Sequence, residues 1–164
     1  MQLVIAEKPS VAQSIAAALG VKEKKDGYIE GGGYLISWCV GHLVQFAEAA
    51  AYGEQYRKWS YDSLPILPQE WQYTVAADKG KQFKILKDLM QRSDVSEVVN
   101  ACDAGREGEL IFRFVYHQAG CKKPFTRLWI SSMETDAIKS GFDNLKDGRR
   151  YDALYHLSLI HISE

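Results

Sequence analysis

The sequence has no surplus of positive charge: 20 Lys and Arg stand against 21 Asp and Glu, a formal net charge of −1. Without a basic excess there is no long-range pull toward nucleic acid, so any such contact has to be local. Cysteine is sparse as well. Cys39, Cys102 and Cys121 are odd in number, widely spaced and without a C-x-x-C pair, which argues against a disulfide framework or a zinc site and fits a reducing, cytoplasmic setting. Long apolar runs are missing. Leu3 to Ala6 is followed at once by Glu7 and Lys8, too short a run for a signal peptide or a membrane span. There is no internal repeat and no low-complexity segment, and the glycines Gly31 to Gly33 have neither the spacing of a phosphate-binding loop nor a helix start behind them.

What is present suits a folded domain. At 164 residues, with 46% hydrophobic and 25% charged content, the chain is long enough to bury one core, with room for a small subdomain beside it. Leu3 to Ala6 reads as a buried strand. Val11, Ala12, Ile15, Ala16 and Leu19 then form a helical stripe, with Ser10 as N-cap and Gly20 as stop. Tyr34 to Val40 reads as a second strand, Gly80 to Met90 as a helix, Glu97 to Cys102 as a strand, and a helix begins near Glu107 with Leu110, Ile111, Phe114 and Val115 inward. Arg127 to Ile130 reads as a strand and Thr135 to Leu145 as a helix. The aromatic and proline-bearing segment from Ala47 to Pro68 reads as irregular, functional structure. Repeated strand, turn and helix predict an α/β domain with a largely parallel, Rossmann-like sheet flanked by helices.

In such a sheet ligands bind outside the carboxyl ends of the strands. Glu7 and Asp103 each follow a strand directly, so both carboxylates belong to that edge and can meet if their strands are neighbours. Glu107 lies at the start of the next helix. Three converging acids repel one another unless a cation joins them, and hard oxygen ligands select Mg²⁺. Capping and the helix dipole account for Asp103 and Glu107 equally well, and Glu7 beside Lys8 is equally readable as a surface pair.

The motifs "VIAEKPSVA" at the amino end, "VGHL" at 40–43, "WSYDSLPILP" at 59–68, "CDAGREGELI" at 102–111 and "RLWISS" at 127–132 resemble the Toprim domain of type IA DNA topoisomerases, in the bacterial topoisomerase III branch. The resemblance covers residues 1–156. After "YDALYH" the chain leaves the family pattern, and 157–164 reads as a truncation or foreign tail. The resemblance implies an acid/base role for Glu7, contact of Lys8 with the scissile phosphate, and metal binding by Glu7, Asp103 and Glu107. The family's Asp, any residue, Asp, any residue, Glu pattern falls on Asp103, Gly105 and Glu107, so one carboxylate is absent and Mg²⁺ is expected to bind more weakly. It further implies single-stranded DNA as substrate in the intact enzyme, with no ATP requirement. The tyrosine nucleophile is expected in other domains, and this chain alone is expected to be inactive.

Several residues are candidates for lining the DNA path: His42 after Gly41, Arg106 inside the acid turn (equally readable as a partner for Glu109), and Trp59 with Tyr61 beside Arg57 and Lys58. Two other functions fit the acid cluster: a stand-alone Toprim nuclease or primase-like protein, and a metal-free module that binds nucleic acid or protein.

Overall fold

The structure, a computed structural model, describes residues 1–46, 49–54, 57–58, 61 and 72–163. Side chains alternate across a pleated strand, and in β1 (Gln2–Ala6) Leu3 and Ile5 enter one core while Val4 and Ala6 enter another. A strand apolar on both faces belongs in the middle of a sheet. β1 accordingly pairs in parallel with β4 (Tyr34–Trp38) on one side and β7 (Glu97–Ala101) on the other, with Ala6 opposite Trp38 and Ala101. β8 (Phe125–Arg127) joins β7 in parallel. Antiparallel strands finish both edges: β2 (Glu23–Lys25) and β3 (Tyr28–Gly31) beyond β4, and β9 (Lys146–Asp147) beyond β8. The order is β2-β3-β4-β1-β7-β8-β9, and β5 (Val44–Phe46) with β6 (Tyr73–Val75) makes a separate two-stranded sheet.

Helices cover both faces, as the alternation predicts. α1 (Pro9–Leu19) and α4 (Thr135–Asp143) bury Ala12, Ile15 and Ile138 against Val4, Ala6 and Val99. On the other face α2 (Gly80–Met90) and α3 (Arg106–Gln118) bury Leu86, Leu89, Ile111 and Phe112 against Leu3, Ile5 and Val98. Each of the larger of these side chains, the Val, Leu, Ile and Phe, contributes about 1.5–3 kcal/mol when fully buried. α5 (Asp152–Ser163) packs on α3 and passes position 157 without a break. Among the described residues no helix is long and apolar enough to cross a membrane.

The boundaries differ from the sequence reading in places with physical causes. Lys8, not Ser10, stands at the N-cap position of α1 and makes no side-chain capping bond, with Pro9 in the first turn, where a missing N–H costs nothing. The strand expected at Arg127 to Ile130 ends at Arg127, because β7 stops at Ala101 and offers no partner beyond Leu128, whose N–H reaches the Asn100 carbonyl at 2.9 Å. Much of the Ala47 to Pro68 segment, including Trp59, lies outside the described residues. Gly20 closes α1 in the left-handed region at φ 72°, with nothing within 4 Å of a would-be Cβ. Gly20→Ala should therefore cost backbone strain alone, about 1 kcal/mol, read as a lower urea midpoint with an unchanged slope.

Candidate active site

The parallel strands β4, β1, β7 and β8 all end on one edge, and the chain leaving three of them builds a cleft of about 490 Å³ there. Glu7 follows β1; Asp103, Ala104, Gly105 and Arg106 form the turn from β7 into α3; His42 follows β4; Glu107, Gly108 and Leu110 come from α3, and Ser158 from α5. The neighbouring positions of β1 and β7 bring Glu7 against Asp103, the meeting that the sequence left conditional.

Glu7 is 8% exposed, and its Oε2 is buried and accepts no hydrogen bond. Burial, a side-chain hydrogen bond to Asp103 and the charges of Asp103 and Glu107 together push its carboxyl up from 4.5 to about 7, against a smaller opposing pull from the Asp103 backbone N–H. Asp103 itself lies on the exposed side of the pair. Glu107 faces the same cleft but is 75% exposed, its Oε1 3.2 Å from His42 Nε2. The His42 backbone is tied down in turn by Lys79, whose Nζ donates to the His42 carbonyl at 3.2 Å. Among the described residues no group of three or more His, Cys, Asp and Glu is gathered closely enough to hold a metal by itself. The donor chemistry of the pair fits Mg²⁺ nonetheless, since that ion keeps several waters and takes one or two carboxylates, and Glu7 offers a buried oxygen with no partner.

The close approach of α3 to the turn depends on one glycine. A Cβ at Gly108 would collide with the Asp103 carbonyl oxygen, so α3 can close onto the turn only with glycine there. Gly105 is different. Its φ of 162° is extended backbone and nothing lies within 4 Å of an added Cβ, so a larger residue is sterically free to stand there.

Of the two readings of Arg106, the pairing with Glu109 is not what the structure has. Arg106 is exposed at the cleft, whereas Glu109 is fully buried with Oε2 3.1 Å from Arg113 Nε and Oε1 3.0 Å from Arg127 Nε. Burial holds the Glu109 carboxyl above its ordinary value against the pull of both arginines. Asn100 Nδ2 donates to Glu109 Oε1 at 3.0 Å, and Arg113 Nη1 reaches Asp152 Oδ1 at 2.7 Å. This buried network escaped the sequence reading. Its traces there are a lone Asn within the apolar β7 run and an Arg four residues after Glu109 on an otherwise buried helix face. Tyr61 is 99% exposed and is not among the cleft residues; Lys8 is exposed beside Glu7.

The Toprim domain pattern matches residues 2–133. The chain belongs to the Toprim family. Curated relatives include the DNA topoisomerase 3 of Shouchella clausii (strain KSM-K16), 52% identical over 152 residues, and that of Bacillus cereus (strain ATCC 10987 / NRS 248), 49% identical over 153 residues. Each alignment covers 93% of this chain and 21% of the relative, so this Toprim chain spans about a fifth of their length. Among solved structures, full-length topoisomerase I from Thermotoga maritima superposes with a TM-score of 0.57 at 19% identity, covering 88% of this chain and 21% of that one. At that identity the likeness bears on the fold alone.

The raised Glu7 value carries a stability prediction. A folded-state pKa of about 7 against 4.5 means the fold prefers Glu7 uncharged, so its contribution is complete below about pH 4.5 and lost as pH rises through 7. In metal-free buffer Glu7→Gln should leave the urea midpoint unchanged near pH 4 and gain about 2–3 kcal/mol near pH 8. An equal effect at both pH values would contradict the assignment.

Proposed function

We propose that this chain is the acid-bearing portion of a DNA topoisomerase III, supplying proton-handling and cation-holding groups to a strand-cleavage and religation site. The pairing of Glu7 with Asp103 carries the reading. A carboxyl poised at about 7 exchanges its proton near neutrality, as a group must if it protonates a leaving 3′ oxygen and later takes that proton back. Lys8, exposed next to Glu7 at the start of α1, is suited to offset negative charge on the scissile phosphate. Glu7, Asp103 and the more distant Glu107 are the residues that would hold Mg²⁺. When bound, the ion supplies neutralising charge to phosphate oxygens beside the cleavage point. His42 meets Glu107 at the cleft, and Arg106 extends from the turn where a DNA strand would pass.

None of the described residues lining the cleft is a tyrosine. In this reading the tyrosine nucleophile that takes up the 5′ phosphate is supplied by a part of the enzyme other than this chain, which spans 21% of the relatives' length. Conserving the bond energy in that covalent link removes any need for ATP. Residues 1–156 form the Toprim unit in this reading, and the protein works on single-stranded DNA in the bacterial cytoplasm, at the nucleoid.

With Mg²⁺ and plasmid the chain alone should leave DNA intact. Joined to the complementary segment of the Shouchella clausii relative, it should relax supercoiled plasmid without ATP, and Glu7→Gln should abolish that activity. Nicking by the chain alone would make it a stand-alone nuclease. Gly105→Asp restores the absent carboxylate at a position with room for it, and should tighten Mg²⁺ binding several-fold by calorimetry. An unchanged affinity would show that the glycine does not weaken the site.

A further inference from the structure

We propose that Arg127 is the positioning residue of the acid turn, holding from within the core the backbone that presents Asp103 to a cation. The inference rests on the reading of Glu7 and Asp103 as a cation site. Arg127 is the last residue of β8, opposite Asn100 of β7, and it is fully buried. Its guanidinium spends its donors on the end of the neighbouring strand. Nη1 donates to the Asn100 carbonyl at 3.2 Å, to Asn100 Oδ1 at 2.9 Å and to the Cys102 carbonyl at 2.7 Å, and Nη2 donates to the Asp103 carbonyl at 2.7 Å. The third nitrogen, Nε, makes an ion pair with Glu109 Oε1 at 3.0 Å but no hydrogen bond.

The Asn100 carbonyl, inside β7, also accepts from the Leu128 N–H, whereas the carbonyls at 102 and 103 lie just past the end of β7. Beyond Leu128 β8 offers no further N–H to those two, and one planar cation reaches them instead. Asn100 adds a second tie, its Oδ1 accepting from the Cys102 N–H at 3.1 Å. The cation is itself fixed. Glu109 anchors it from α3, and the stacked rings of Trp129 and Tyr151, whose centroids are 5.1 Å apart, lie 5.0 and 6.0 Å from its Cζ. Asp103 is thus gripped at its carbonyl by Arg127 while its carboxylate faces Glu7, so displacing the guanidinium frees the turn without removing any ligand. Lysine cannot reproduce the arrangement, because one ammonium does not span carbonyls and a carboxylate in a fixed fork.

The test is Mn²⁺ titration of the isotope-labelled chain by NMR, with amide exchange measured in the metal-free state. Three forms are compared: wild type, Arg127→Lys, and the double variant Arg127→Met with Glu109→Gln, which removes both buried charges together and leaves no unpaired ion to unfold the core. Both variants should keep dispersed spectra, move the midpoint of broadening at Glu7 and Asp103 at least about tenfold to higher Mn²⁺, and speed exchange of the Asp103 and Ala104 amides. A folded variant with the wild-type midpoint and unchanged turn exchange would make Arg127 a structural residue only and overturn the proposal. If the wild type itself shows no localised Mn²⁺ response, the cation reading fails. The exchange rates still judge Arg127: faster turn exchange supports its hold on the turn, and unchanged exchange overturns it.

Discussion

A buried carboxyl set against a second carboxyl cannot carry its charge without cost, and the parallel pairing of β1 with β7 creates that conflict at Glu7 and Asp103. A proton relieves it in the metal-free state, which is why Glu7 is displaced to about 7. A divalent cation would relieve it in another way, and a phosphodiester reaction that passes protons and gathers negative charge uses both. Much else at this edge keeps the two groups together. Gly108 lets α3 close on the turn, the Arg127 guanidinium holds the turn from below, and His42 Nε2 lies 3.2 Å from Glu107 Oε1 at the cleft.

The two glutamates of the acid run illustrate how helical geometry divides labour. Residues two apart on a helix point about 200° away from each other, so Glu107 and Glu109 cannot serve one site. Glu107 faces the solvent-filled cleft and Glu109 enters the core, where Arg113 and Arg127 compensate it. Breaking such a buried cluster by removing one partner costs more than any exposed ion pair returns. The acid-rich turn is therefore half site and half foundation.

Much of this was legible in the sequence, because apolar runs ending in an acid identify strands whose carboxyl ends share an edge. The α/β class, both central strands and the helices over them follow from periodicity. Adjacency of β1 and β7 does not, since strand order depends on tertiary packing that no local pattern records. The edge strands β2 and β9 were missed because exposed residues such as Glu23 to Lys25 carry no burial signal. Arg127 was readable only as the start of an apolar strand; its burial depends on Asn100 and Glu109, distant in sequence and joined only by the fold. The resemblance of "CDAGREGELI" to the Toprim motif supplied a role for the acids that spacing alone left open.

The most direct test is a ¹³C-carboxyl NMR titration of Glu7 in the full chain, with and without Mg²⁺. The shared-site account predicts an inflection near pH 7 in metal-free buffer, displaced to lower pH as Mg²⁺ is added and the cation replaces the proton. An inflection near 4.5 that Mg²⁺ leaves unmoved would show that Glu7 and Asp103 neither share a proton nor hold a cation.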